Sequence, residues 1–285
     1  MSFAIFDENY YLANNSDVKA AVDAGTFSSG RQHFEQYGLA EGRVSVSPYF
    51  NEQVYLQKYP DVAAAVSAGS FRTGLQHYIQ YGEAERRSAG TFDEQAYLAL
   101  YPDVAAAVAA GTYSSGLQHY VQLGQFEANR IAYFTGTTGN DTITGFGANT
   151  VITGIDVINP VLNADGLLEF TSEQGAGDVD ILIGGAGRDR FFLGSKTGIQ
   201  INTFYDDNDS ADYALIQNFQ PGSDTISLGG ASINSYKLEA VNGNLNISTL
   251  GGDLIATVEG VTSLSEIPTS STWAANINDG IVLLG

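Results

Sequence analysis

Gly184-Gly185-Ala186-Gly187-Arg188-Asp189-Arg190-Phe191-Phe192 is the stretch whose reading decides the fold of this 285-residue chain. Its pattern is G-G-x-G-x-D-x-U-x, with U a large apolar residue. The glycines permit a tight turn with positive φ. Their carbonyls can face a cation, and Asp189 offers a hard carboxylate oxygen of the kind Ca²⁺ takes. Phe191 is then expected to point inward at the start of a short strand. Nine residues upstream, Gly175-Ala176-Gly177-Asp178-Val179-Asp180-Ile181-Leu182-Ile183 repeats the pattern, aligning Asp180 with Asp189 and Leu182 with Phe191. Gly136-Thr137-Thr138-Gly139-Asn140-Asp141-Thr142-Ile143-Thr144 repeats it again, with Thr137 in place of the second glycine. Gly145–Thr153 keeps the nine-residue step, but has Thr150 where the aspartate belongs.

On these nonapeptides the sequence resembles the RTX, or hemolysin-type, calcium-binding proteins of bacteria, over residues 131–285. The resemblance implies a parallel β-roll whose turns hold Ca²⁺ between stacked coils. Two nonapeptides make one coil, so Asp180 and Asp189 are expected on opposite edges, with the Gly136 turn completing a site. The implied ligands are Gly136, Gly139 and Asp141 in one turn and Gly175, Gly177, Asp178 and Asp180 in the next. Gly184, Gly185, Gly187 and Asp189 follow. Asp178 replaces a glycine of the family pattern, as an extra ligand or facing solvent. The acidic run Tyr205–Asp212 adds Asp206, Asp207 and Asp209, read either as a solvated turn or as a calcium-held loop. It is not an EF-hand, because the sixth-position glycine and twelfth-position glutamate are missing.

Residues 6–130 carry three copies of another unit, beginning at Phe6, Phe50 and Phe92 and ending at Gln32-His33-Phe34, Gln76-His77-Tyr78 and Gln118-His119-Tyr120. Each reads as three short helices. Asp7, Asn51 or Asp93 caps the first, Pro60 or Pro102 opens the second, and Gly69 or Gly111 ends it. The third runs from near Gly74 or Gly116 to Gly82 or Gly124. One histidine per copy is expected to pack and hydrogen-bond within its own repeat. Asp61 and Asp103 are expected to cap backbone N–H groups. Similar repeats stand beside RTX turns in bacterial, notably cyanobacterial, proteins. The expected fold class is therefore two-part: an all-α array over residues 1–130, and an all-β parallel β-roll capped by an antiparallel sheet over residues 131–285. Residues 154–174 break the nonapeptide rhythm as a loop or an inserted pair of strands.

Acidic residues number 32 against 12 basic, giving a formal net charge of −20, which disfavours nucleic acid and favours divalent cations. Cysteine is absent, so no disulfide or thiolate chemistry is available. No stretch is long and apolar enough to span a membrane, and the first residues do not form a signal peptide. The resemblance implies export by a type I route with an uncleaved C-terminal signal, and an extracellular or cell-surface location. No G-x-S-x-G, H-E-x-x-H or P-loop is present, so an enzyme is not expected. The expected function is a calcium-dependent structural protein that self-assembles as a homo-oligomer or polymer in a surface layer or filament. The alternative is a calcium-dependent adhesin that binds cell-surface glycan.

Overall fold

The structure, a computed structural model, describes residues 5–162, 168–172, 174–197, 200–206, 211–230, 232–267 and 281–285. It divides into two compact units, one of residues 1–95 with 103–121, the other of residues 96–102 with 122–285.

In the first unit the repeat chemistry dictates the helices. Asp7 accepts from the Tyr10 amide (2.8 Å) ahead of the helix Glu8–Asn14, and Asn51 from the Val54 amide (3.1 Å) ahead of Glu52–Lys58. The glutamate that follows each cap reaches across the repeat. Glu8 accepts from the amides of Gly30 and Arg31 at 2.6 and 3.0 Å, and Glu52 from Gly74 and Leu75 at 2.7 and 2.9 Å. Glu94 accepts from Gly116 and Leu117 at 2.6 and 2.8 Å. Each carboxylate thereby satisfies two open N–H groups at the start of the third helix and meets the positive end of its dipole.

That third helix changes pitch in the first two copies. Gly30–His33 and Gly74–His77 run into π-helical turns, Phe34–Gly38 and Tyr78–Gly82. A buried tyrosine lies against each of these turns. A Cβ on Gly38 would stand 2.7 Å from the Tyr11 hydroxyl, and one on Gly82 would collide with the Tyr55 hydroxyl. The same hydroxyls hydrogen-bond Nδ1 of His33 (3.0 Å) and of His77 (2.9 Å), each within its own repeat. Asp61 meets the amides at the start of its helix, as expected, and its carboxylate also takes both arms of Arg87, at 2.9 and 2.8 Å. Asp17 does the same with Arg43.

In the second unit the strands are β1 (Ala132–Thr135), β2 (Thr142–Thr144), β3 (Asn149–Thr153), β4 (Ile158–Leu162), β5 (Leu168–Thr171), β6 (Val179–Ile183) and β7 (Arg188–Thr197). They continue with β8 (Gln200–Thr203), β9 (Tyr213–Gln217), β10 (Thr225–Gly229), β11 (Tyr236–Val241), β12 (Asn244–Thr249), β13 (Leu254–Val258) and β14 (Ile281–Leu284). One six-stranded sheet has the order β1-β3-β7-β10-β14, with β8 beside β7; the other runs β11-β12-β13-β9-β6-β2. The chain visits the two sheets alternately from β1 to β3, and again through β6, β7, β9 and β10, with β8 folding back beside β7. The apolar U positions consequently align. Ile143, Leu182, Ile216 and Val258 form one buried row, and Phe134, Ile152, Phe191, Ile226 and Leu284 the other. Each such side chain contributes about 1.5–3 kcal/mol on burial.

The expected fold class is corrected here: the chain is an α/β fold with mixed sheets. Both six-stranded sheets combine parallel and antiparallel pairs. β10 pairs parallel with β7 and antiparallel with β14, and β13 pairs parallel with β9 and antiparallel with β12. The antiparallel hairpin β11–β12 therefore extends a sheet that also holds the glycine-turn strands, and is no separate cap. Nor is there an all-α part ending at residue 130. Residues 96–102 belong to the strand-bearing unit, because the Tyr101 hydroxyl accepts from the Ile131 amide (2.6 Å) and Arg130 stacks 4.5 Å over the Tyr101 ring. The second repeat uses the same arrangement, with Tyr59, Arg87 and Ser88. The segment after β3 contains the two-stranded antiparallel pair β4–β5.

Candidate functional site

The turns that enter the strands bring the expected metal-binding residues together along two lines. Register alone does this. β2 pairs β6 with Thr142 opposite Ile181, which sets Asp141 beside Asp180. In the other sheet Thr150 lies opposite Asp189, and Arg190 opposite Thr225, which sets Asp224 beside Asp189. Asp180 and Asp189 thus lie near the starts of strands of different sheets.

On the first line Asp141 accepts at Oδ2 from the Thr137 amide (2.6 Å) and hydroxyl (2.8 Å). Thr137, the departure from glycine, therefore fastens its own turn. Asp180 accepts at Oδ1 from the Asp141 amide (2.8 Å) and at Oδ2 from the Tyr205 hydroxyl (2.6 Å). It is 1 % exposed. Burial pushes its carboxyl up to about 6, and the negative charges of Asp141 and Asp178 add to the rise, while the Tyr205 hydroxyl and Asp141 amide oppose it. Asp178 is half-buried. Gly139, Gly175 and Gly177 have φ of 114°, 75° and 82°, as a tight turn demands. Gly136 is needed for a different reason, because a Cβ there would run into the Gly154 carbonyl oxygen.

On the second line Asp189 is fully buried and accepts at Oδ1 from the Thr150 hydroxyl. Its Oδ2 is buried and meets no donor in hydrogen-bond geometry. Burial raises its carboxyl; the Thr150 hydroxyl and the nearby Gly185 amide oppose the rise. Asp224, 1 % exposed, accepts from the amides of Asp189 (3.0 Å) and Gln220 (2.8 Å), and burial followed by the charge of Asp189 lifts it to about 6.

The Gly184–Gly187 turn differs from expectation. Its glycines are not among those with positive φ. They are required by close stacking: a Cβ on Gly185 would stand 2.7 Å from the Gly145 oxygen, and one on Gly187 would run into the Gly147 oxygen. Its carbonyls, expected to face a cation, are engaged by donors from the next coil. Asn218 Nδ2 donates to Gly184 O (2.7 Å), Gln220 Nε2 to Gly185 O (3.0 Å) and Ser223 Oγ to Gly187 O (3.4 Å).

Asp206 is exposed, whereas Asp207 and Asp209 lie outside the described residues. Sequence reasoning missed Asp224, and placed Tyr205 and Asp212 only as the ends of the acidic run. Asp212 is fully buried and accepts from the Gly177 amide (3.2 Å). The signal for Asp224 was the spacing D-x-U, which recurs in Asp224-Thr225-Ile226 outside the nonapeptide rhythm. Among the described residues no three acidic or histidine side chains converge on one point. A cation at these turns would therefore need backbone carbonyls to complete its shell. The fit is best on the Asp141–Asp180 line, where buried carboxylates repel one another, and at Asp189, which keeps a buried oxygen without a donor. It fails between the Gly184 and Asn218 turns, where donors already stand. Compared with protein families and with curated proteins, the sequence gives no match.

Proposed function

We propose that the protein is an extracellular calcium-dependent structural protein, a component of a self-assembling surface layer or filament, in which Ca²⁺ orders the glycine-rich turns. The carrying observation is the stack of Asp141 and Asp180 on successive turns, buried and with the Asp180 carboxyl lifted to about 6. The surroundings supply little positive charge: residues 131–285 contain 18 acidic and 4 basic residues. Asp141 and Asp180 with carbonyls of the Gly136 and Gly175 turns would hold one cation, and Asp189 with carbonyls of its own neighbours another. Bound Ca²⁺ supplies neutralisation of the facing carboxylates, and so couples metal to fold. It also lowers the self-repulsion that opposes association of copies.

Calorimetric titration of EDTA-treated protein with CaCl₂ tests the proposal. Saturable uptake is expected with a Kd of about 10⁻⁴–10⁻³ M, the range of extracellular modules. Asp180→Asn, which keeps the size but removes the charge, is expected to weaken it at least several-fold. Light scattering should show association only with calcium present. Absence of heat, together with an unchanged melting temperature in millimolar calcium, would overturn the proposal.

A further inference from the structure

The three helical repeats are built alike, but the grooves between successive copies are not. Between the second and third copies lies a cavity of about 850 Å³ whose walls include Tyr81, Glu83, Arg86, Tyr113 and Ser114. At the 44- and 42-residue periods, the corresponding positions between the first and second copies are Tyr37, Leu39, Gly42, Phe71 and Arg72. Four of the five differ, and each change either opens space or adds a polar group. Arg72 crosses the first groove: Nη2 donates to the Glu41 carbonyl (3.2 Å), and a Cβ on Gly42 would stand 2.9 Å from its Nε. Its counterpart in the second groove is the short Ser114, which leaves that space clear. Leu39 becomes Glu83, a carboxylate only 7 % exposed that accepts from the Ser114 hydroxyl at 2.6 Å. Phe71 becomes Tyr113, which gains a hydroxyl. Gly42, in the left-handed region at φ 81°, becomes Arg86, held there at φ 59°. A side chain in that region is uncommon and strained, and such strain concentrates at functional sites.

We infer that this second groove is a carbohydrate-binding site that takes a pyranose unit of a polysaccharide. Tyr81 is 52 % exposed, and its ring is braced by Phe71 and His77 at 5.9 Å each, so a flat apolar surface is presented at no cost in side-chain freedom. A sugar has an apolar C–H face to lie on such a ring, and a rim of hydroxyls. Glu83 accepts from hydroxyls, Arg86 donates to their oxygens, and Ser114 and Tyr113 do both. A few polar groups converging on a partly apolar concavity is the usual build of a small-molecule site. The inference rests on the helical unit alone and is independent of calcium.

Saturation-transfer NMR of the full-length protein with a panel of methyl glycosides, including a methyl glucuronide, tests it. Transfer to at least one glycoside is expected, with a millimolar Kd. The double variant Arg86→Gly/Ser114→Arg restores the pair found in the first groove, so it should fold, which circular dichroism checks, and it should abolish transfer. Tyr81→Ala should weaken binding tenfold or more, and Tyr37→Ala in the first groove should leave it unchanged. No transfer to any glycoside, or transfer that survives in the double variant, would overturn the inference.

Discussion

Asp61 in the second helical repeat and Asp180 in the strand ladder both sit at the start of a secondary-structure element, and their surroundings are opposite. The Asp61 side chain is 63 % exposed and pairs with Arg87, which holds its carboxyl below the usual range. Asp180 is 1 % exposed and leans on an amide and a hydroxyl, with other aspartates adding to the rise of its carboxyl. Asp17 and Glu52 follow the first pattern, matched to a guanidinium group and to paired helix amides. The Asp141–Asp180 line follows the second, with carboxylates stacked on one another. Helical stability should therefore be indifferent to divalent cations, whereas the strand turns carry charge that a proton or a cation must relieve.

The largest expected effect breaks the stacking itself. Gly187→Ala drives a methyl group into the Gly147 and Ala148 carbonyls of the turn below, where backbone cannot move aside. It should destabilise the strand unit by about 3 kcal/mol. Urea unfolding followed by strand-specific signals should show this, with the helical transition unmoved.

Glu94 sharpens the comparison through pH. Its carboxyl is lifted to about 7 by burial, with the charges of Asp93 and Glu83 adding and the Gly116 and Leu117 amides opposing. A carboxyl raised on folding favours the protonated folded state. Its contribution is full below about 4.5 and lost as pH rises towards 7, by up to about 3 kcal/mol. Melting of the helical unit between pH 4.5 and 7 should show this slope, and Glu94→Gln should flatten it. A smaller effect is expected at the exposed ion pair. Arg87→Met should cost about 1 kcal/mol or less, and still less in high salt, because a solvated pair contributes little. Part of that cost is the lost stacking on Tyr59 at 4.8 Å.

The repeat period, the caps Asp7 and Asn51, and the inward-facing positions Leu182 and Phe191 were legible because each follows from local spacing. The mixed sheets were not. The pairing of β14 with β10 joins residues more than 50 apart, and no local pattern announces its direction. The role of Glu8, Glu52 and Glu94 was missed because the amides they hold lie 22 and 23 residues away. The Gly184 turn was read correctly as a glycine requirement, but for the wrong cause: stacked carbonyls, not positive φ, exclude the side chain there. The engagement of its carbonyls by Asn218, Gln220 and Ser223 depends on a coil more than 30 residues on, beyond the reach of a nonapeptide pattern.

Hydrogen–deuterium exchange of the full-length protein, in EDTA and in millimolar calcium, tests the central claim most directly. Calcium should slow exchange at the amides of Thr137, Asp141 and Val179 on the Asp141–Asp180 line, and leave the helical-repeat amides of Gly74, Leu75 and Gly116 unchanged. Equal exchange at the turn amides in both conditions, or an equal slowing in the helical repeats, would contradict it.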